Sequence, residues 1–298
     1  MKSGATLKTL AVTLIMLMTI SSWAQEVKKT KTKYVKVPKG WTFIPQGKLV
    51  MGKDTTKVEA FYMLETEISN LNYKEFLESL KKEGKTAELA IAMVDTLKWR
   101  DPLAYNEPFV NHYFQHPAYS QYPLVNISYE AALLYCKWLT NRLNQTLKGI
   151  TVEAMLPTRA QWIWAANGGY VLSPFSWGGP YMYTKEGKPY CNFNPVGEQA
   201  IHYNAEKKCY EIMNDWTGSS GIGTNASDIT APVKSYYKSR YGLYNMNGNV
   251  AEMVAEKGVA MGGSWKSPGY DVRNESSVQY NGACTTVGFR PILKFTVL

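Results

Sequence analysis

The side chains of this chain that could do chemistry are few and scattered. Its cysteines are Cys136, Cys191, Cys209 and Cys284, and its histidines are His112, His116 and His202. No two cysteines stand in C-x-x-C spacing, which zinc sites and thioredoxin-like centres use. Four cysteines allow three disulfide pairings, and Cys191 with Cys209 is favoured because both lie in one loop-rich region. In "HYFQH", His112 and His116 stand four apart, a spacing that puts two rings on one helical face and can serve a metal ion. No third ligand accompanies them, and Pro117 with its aromatic neighbours reads as a loop packed through its rings. A serine nucleophile has no Gly-x-Ser-x-Gly elbow to sit on. Two stretches remain. "NMNGNVAE" sets amide and carboxylate oxygens around a glycine, as an asparagine-capped turn or an ion loop would. "MGGSWKSPGYDVRN" (Met261 to Asn274) leads through a polar segment to "TTVGFRP", a stretch suited to presenting side chains on a surface.

These residues need elements to position them. Lys2 and Lys8, the apolar run Leu10 to Ile20 and the small residues of "SSWA" predict a secretory signal peptide over residues 1–24. No cysteine stands at the cut, so lipid anchoring has no support, and no later stretch is apolar enough for a membrane span. Residues 25–40 form a flexible arm with six Lys against one Glu. The formal charge of +9 is thus concentrated at the N-terminus, the remaining domain is close to neutral, and the balance argues against nucleic acid.

Beyond the arm, Gly40 to Gly52 carries strand-like apolar residues with turn-forming Pro and Gly. Ser69 is set to cap a helix, with Ile68 stapled onto Tyr73 and Phe76, Leu77 and Leu80 on its apolar face. Residues 81–121 read as a long excursion with some helix, rich in Tyr, Pro and Asn at its end. Ser128 caps the clearest helix, with Ala131, Leu134, Tyr135, Trp138 and Leu139 at helical spacing and Cys136 as buried filler. Thr158 and Gln161 form a capping box, Trp162 and Ala165 face inward, and Gly168-Gly169 ends that helix. From Tyr170 to Tyr237 periodicity is weak, so loops carry the function or ions and cross-links pin them.

Read in order, "TEISNLNYKEFL", "YPLVNISYEAALLYCKWLTNRL", "LPTRAQWIWAANGG", "FSWGG", "PVKSYYKSRYGLYNMNGNVAEMV", "GGSW" and "GFRP" resemble the formylglycine-generating enzyme (sulfatase-modifying factor) domain over residues 41–298. The resemblance implies an α+β, C-type-lectin-like single domain with a small antiparallel sheet, a few flanking helices and long loops. It also implies a calcium loop in which Asn245 and Glu252 give side-chain oxygens and Gly248 and Val250 give carbonyls. A second family ion site would use Asn192 and Phe193, but its acidic partner is not evident.

In the family's oxidase branch, two cysteines after "GGS" hold copper. Here those positions are Ser267 and Val272, and Cys284 stands alone farther along. A soft Cu(I) ion needs thiolates, so neither copper nor formylglycine-generating activity is expected, and the chain leans away from being an enzyme. Residues 95–129 resemble the insertion of gliding-motility and type IX secretion members from Bacteroidota. The reading that follows is a noncatalytic scaffold or binding protein, exported to the periplasm or cell surface of a Gram-negative bacterium, with envelope proteins and a small-molecule or peptide ligand as partners. The alternatives are a divergent metal-dependent oxidoreductase and a lectin-like protein displaying its 266–286 loop. The aromatic residues of the excursion suit a protein interface and suit internal packing equally.

Overall fold

The computed structural model describes residues 38–102, 104–147, 150–170, 173–195, 201–212 and 229–297. The expected leader and nearly all of the Lys-rich arm lie outside them. Strands β1 (Trp41–Ile44) and β4 (Phe61–Leu64) pair antiparallel, with a hairpin of β2 (Gly47–Met51) and β3 (Asp54–Val58) between them. The C-terminal strand β12 (Ile292–Val297) inserts between β4 and β5 (Ile150–Met155), giving a sheet of order β1-β4-β12-β5. The two ends of the domain therefore meet in one sheet, in a register that sets Ile292 opposite both Met63 and Met155.

The second sheet joins β8 (Ala251–Met253), β9 (Val259–Met261), β10 (Ser277–Gln279) and β11 (Val287–Phe289) in the order β10-β9-β8-β11. Its β8–β11 pair is parallel, with Glu252 opposite Gly288. Every β8 and β11 residue is buried, so both strands serve the core and not a solvated face. β6 (Ile201–Asn204) and β7 (Cys209–Ile212) add a hairpin inside the region expected to be dominated by loops.

The helices start where their caps predict. α1 (Asn70–Lys82) begins at Ser69, whose Oγ accepts the Asn72 N–H at 3.2 Å, while Asn72 Oδ1 accepts the Ser69 N–H at 3.3 Å. Asn72 thus completes a capping box usually closed by Glu or Gln. α4 (Tyr129–Thr146) begins at Ser128, and α5 (Arg159–Ala166) at the reciprocal Thr158–Gln161 box. Gly168 and Gly169 follow with φ of 59° and 81°, left-handed turns that end α5. Tyr73, Phe76 and Leu80 of α1 pack with Tyr135 and Cys136 of α4 against Met253, Val287 and Phe289. A second cluster sets Trp162, Ile163 and Ala166 of α5 against Ile44, Phe61 and Met63 of the first sheet.

The excursion is folded onto the domain. It contains α2 (Thr86–Ala92), α3 (Glu107–His112) and 3-10 turns at Thr96–Trp99 and Pro117–Tyr119. Trp99, Tyr113 and Phe114 are buried, which makes these aromatics packing groups. Tyr105 of the same segment is 83% exposed, so part of the excursion still faces outward. Asn70 Nδ2 ties it down by donating to the carbonyls of Tyr113 and Tyr119, each at 3.0 Å. Among the described residues, no helix is long and apolar enough to cross a membrane.

Candidate loop site and its buried anchor

The "NMNGNVAE" loop enters β8 through left-handed residues at Asn245, Gly248 and Asn249, with φ of 49°, 73° and 61°. At Gly248 the backbone passes so close to its neighbour that an added Cβ would lie 2.1 Å from the Asn192 carbonyl oxygen. Only glycine meets both demands. The asparagines then hold distant loops by imitating backbone. Asn247 Oδ1 accepts the Ser176 N–H at 2.8 Å, while its Nδ2 donates to the Val272 carbonyl at 2.7 Å and to Asn274 Oδ1 at 2.9 Å. Asn274 Nδ2 continues the relay to Asn167 Oδ1 and the Ser173 carbonyl, both at 3.0 Å. Asn249 does the same for Ala231, accepting its N–H at 2.7 Å and donating to its carbonyl at 3.1 Å. Buried amides satisfied in this way fix loops that lack ladders of their own.

The expected Cys191–Cys209 disulfide is absent: all four cysteines are free. Cys191 is sealed with Phe175, Phe193 and Val272, whereas Cys209 stands exposed at the start of β7. Burial pushes the Cys191 thiol far above its ordinary pKa and the Cys136 thiol up to about 12. Both are therefore inert packing groups at neutral pH.

Glu252 lies at the centre of the anchor. Its two oxygens accept Arg290 Nε at 3.0 Å each, Oε1 accepts Arg290 Nη2 at 2.6 Å, and Oε2 accepts Trp162 Nε1 at 2.7 Å. Arg290 also donates to the carbonyls of Leu64, Glu65 and Tyr244 at 3.1, 2.8 and 2.6 Å. One buried guanidinium thus joins β4, the loop before β8, and β8 itself. Glu67 is buried beside it, 4.0 Å from Arg290 Nη2, and accepts Asn249 Nδ2 at 2.8 Å and Asn245 Nδ2 at 3.2 Å. Burial raises the Glu67 carboxyl to about 8, with nearby Glu252 reinforcing the rise and Arg290 opposing it.

This geometry bears on the expected ions. Asn245 Oδ1 is buried with no partner, the kind of oxygen a cation would take. Glu252, however, already accepts three N–H groups, from Arg290 Nε, Arg290 Nη2 and Trp162 Nε1, with the Nε–H shared between its two oxygens. A calcium ion taken up by Glu252 would sit against the Arg290 guanidinium, 2.6 Å from Oε1, so the Asn245, Gly248, Val250 and Glu252 set does not fit calcium in this arrangement. Asn192, of the second expected ion site, donates its Nδ2 to the Ile229 carbonyl at 2.7 Å.

The "GGSW" frame is a tight turn. Ser267 Oγ accepts the Ser264 N–H at 3.0 Å, and the Ser267 N–H returns to the Ser264 carbonyl at 2.9 Å. Val272 is fully buried in its apolar cluster. A turn-forming hydroxyl and a sealed isopropyl group thus occupy the two positions that the sequence resemblance assigns to thiols. Trp265 stacks on Trp99 at 6.4 Å, which joins the excursion to this frame. The two histidines are exposed, with ring centroids 5.9 Å apart. His116 Nδ1 accepts the Ala118 N–H at 3.2 Å, which engages one of its two ring nitrogens. The His202 side chain lies outside the described residues. Among the described residues, no three His, Cys, Asp or Glu side chains cluster as a metal site would require.

A sulfatase-modifying factor enzyme 1-like domain model matches residues 24–295. The formylglycine-generating enzyme of Mus musculus is 25% identical over 255 residues, covering 72% of this chain and 57% of that protein. The protein of the same name from Thermomonospora curvata is 30% identical over 135 residues, 45% of this chain and 33% of that one. The chain thus spans only part of the length of these relatives. Among solved structures, PvdO from Pseudomonas aeruginosa superposes with a TM-score of 0.54 at 16% identity, covering 85% of this chain and 94% of that one. CarF gives 0.53 at 17%, covering 86% and 98%, and Treponema denticola variable protein 1 gives 0.52 at 17%, covering 85% and 94%. Such likeness speaks to the fold alone. The chain belongs to the sulfatase-modifying factor enzyme 1-like domain family and has its C-type-lectin-like fold.

Proposed function

We propose that this protein is a noncatalytic binding or scaffolding member of its family, acting in the envelope of a Gram-negative bacterium. The observation that carries the reading is the pair Ser267 and Val272. The family's loop is kept, down to its glycines and its "GGSW" and "GFRP" frame, while both thiolate positions hold groups with no affinity for Cu(I). Cys191, buried against Val272, does not supply a replacement, because its thiol is held protonated and sealed from solvent. The curated relatives are named as enzymes, so the reading separates this chain from them by its residues and not by its fold.

The excursion supports a place in gliding or type IX secretion machinery through its likeness to that branch, and the leader-like start supports export. Both are tested by fractionating cells and identifying what co-purifies with the chain. Recovery in the envelope with secretion components is expected, and recovery in the cytosol would overturn the assignment. The noncatalytic reading is tested by incubating the purified protein with copper, a thiol reductant, oxygen and a cysteine-containing sulfatase peptide. Mass spectrometry should find the peptide cysteine intact, and its conversion to an aldehyde would show that the chain is an enzyme.

A further inference from the structure

The loop face that surrounds the lost thiol positions carries an unusual set of rings and cations. Phe175, Trp177, Tyr190 and Tyr237 form a continuous column, with centroid spacings of 4.6, 5.0 and 5.3 Å along it. The column begins buried at Phe175 and emerges at Tyr237, which is 49% exposed. Beside it, Tyr181 and Tyr270 are 76% and 69% exposed. Their two segments touch through Met182 and Gly269, where an added Cβ on the glycine would lie 3.3 Å from Met182. The asparagine relay fixes this face from below, since Asn247 and Asn274 hold residues 173, 176 and 272 together. The rings are therefore displayed on a rigid base.

The cations stand on the rings. The Arg273 guanidinium lies 3.5 Å from the Tyr270 ring centroid, Arg240 lies 5.5 Å from that of Tyr170, and Lys266 lies 4.9 Å from that of Trp265. Among the described residues, none of the three has a carboxylate within ion-pair distance, although Glu65, Glu107 and Glu130 each pair with a cation elsewhere. Arg273 Nε is fixed by the Tyr270 carbonyl at 2.9 Å, which orients the fork. The segments 173–193, 234–240 and 264–276 together carry seven Lys and Arg against three Asp and Glu. A small cleft of about 170 Å³ between Ser173, Pro174, Arg273 and Glu275 opens on the same face.

Flat exposed rings offer stacking faces for the C–H face of a pyranose, and a ring-braced guanidinium offers a directed fork for an anion. We infer that this face binds an acidic polysaccharide, with Tyr181 and Tyr270 stacking on sugar rings and Arg273 pairing with their uronate or sulfate groups. The inference rests on the noncatalytic reading, because it assigns to the retained loop a ligand in place of a reaction. An acidic peptide fits the charge but makes no use of the exposed ring faces of Tyr181 and Tyr270.

The test is calorimetric titration of the full protein with polygalacturonate, dextran sulfate, uncharged dextran and polyglutamate. Binding to at least one acidic polysaccharide is expected, and the first two probes tell uronate from sulfate. Dextran and polyglutamate should bind at least tenfold more weakly. Arg273→Gln and Tyr270→Ala, both at the surface, should each weaken binding about tenfold while leaving the melting temperature unchanged. No binding to either acidic polysaccharide, equal binding of polyglutamate, or full affinity in both variants would overturn the inference. Conversion of the sulfatase peptide in a parallel assay would instead strike the noncatalytic reading, so the two failures are distinguishable.

Discussion

Replacing Arg290 by Met tests the buried anchor. The side chain is fully buried, and its fork reaches Glu252, the consecutive carbonyls of Leu64 and Glu65, and the distant carbonyl of Tyr244. Met preserves much of the volume but leaves Glu252 as a buried carboxylate with only Trp162 as its remaining donor, and it takes a donor from the carbonyls of Leu64, Glu65 and Tyr244, of which Glu65 keeps the Tyr244 N–H. Removing one partner of a buried pair costs about 3–5 kcal/mol, and stranded acceptors add to that without summing simply. At roughly 2–4 °C per kcal/mol for a domain of this size, the melting temperature should fall by about 10 °C or more. Arg290→Met combined with Glu252→Leu removes both charges and should recover part of the loss. Calorimetry of the two variants decides the matter. A single variant that melts within about 2 °C of the parent would refute the anchor, and so would a double variant with no recovery.

Three further outcomes follow from the same geometry. Gly248→Ala forces a Cβ into the Asn192 carbonyl at a left-handed φ, so it should destabilise by more than about 2 kcal/mol, as measured by chemical denaturation. Glu67 holds its proton more tightly folded than unfolded, so the stability it contributes is present below about pH 4.5 and is lost as pH rises through about 8. Glu67→Gln should flatten the pH dependence of the midpoint over that window, and an unchanged dependence would contradict the assignment. In thiol titration under native conditions Cys209 should react first, while Cys136 and Cys191 should wait for denaturant. A Cys191–Cys209 disulfide in non-reducing peptide mapping would contradict the free-thiol arrangement.

Much of the scaffold was legible in the sequence because it is written locally. Ser69, Ser128 and the Thr158–Gln161 pair each fix a helix start within three residues, and Gly168-Gly169 fixes an end. The capping role of Asn72 went unread because Asn, with its shorter side chain, lies outside the usual Glu or Gln pattern. The anchor was not legible for a different reason. Glu67, Glu252 and Arg290 are far apart in the chain, and nothing local marks which carboxylate will be buried against which guanidinium. The asparagine relay through 247, 274 and 167 is equally nonlocal, and it does the work that cross-links or ions seemed needed for. The Cys191–Cys209 expectation failed because proximity in sequence placed both in one loop region, while burial sent one inward and left the other at a hairpin edge.

The proposed noncatalytic role requires that the family's loop be kept without a redox metal site. Titrating the reduced protein with Cu(I) under anaerobic conditions, beside the Ser267→Cys/Val272→Cys variant, tests this most directly. The natural chain should take up no stoichiometric copper at these positions, and the double variant should gain one equivalent. Stoichiometric copper in the natural chain, with thiol-dependent oxygen uptake, would contradict the claim.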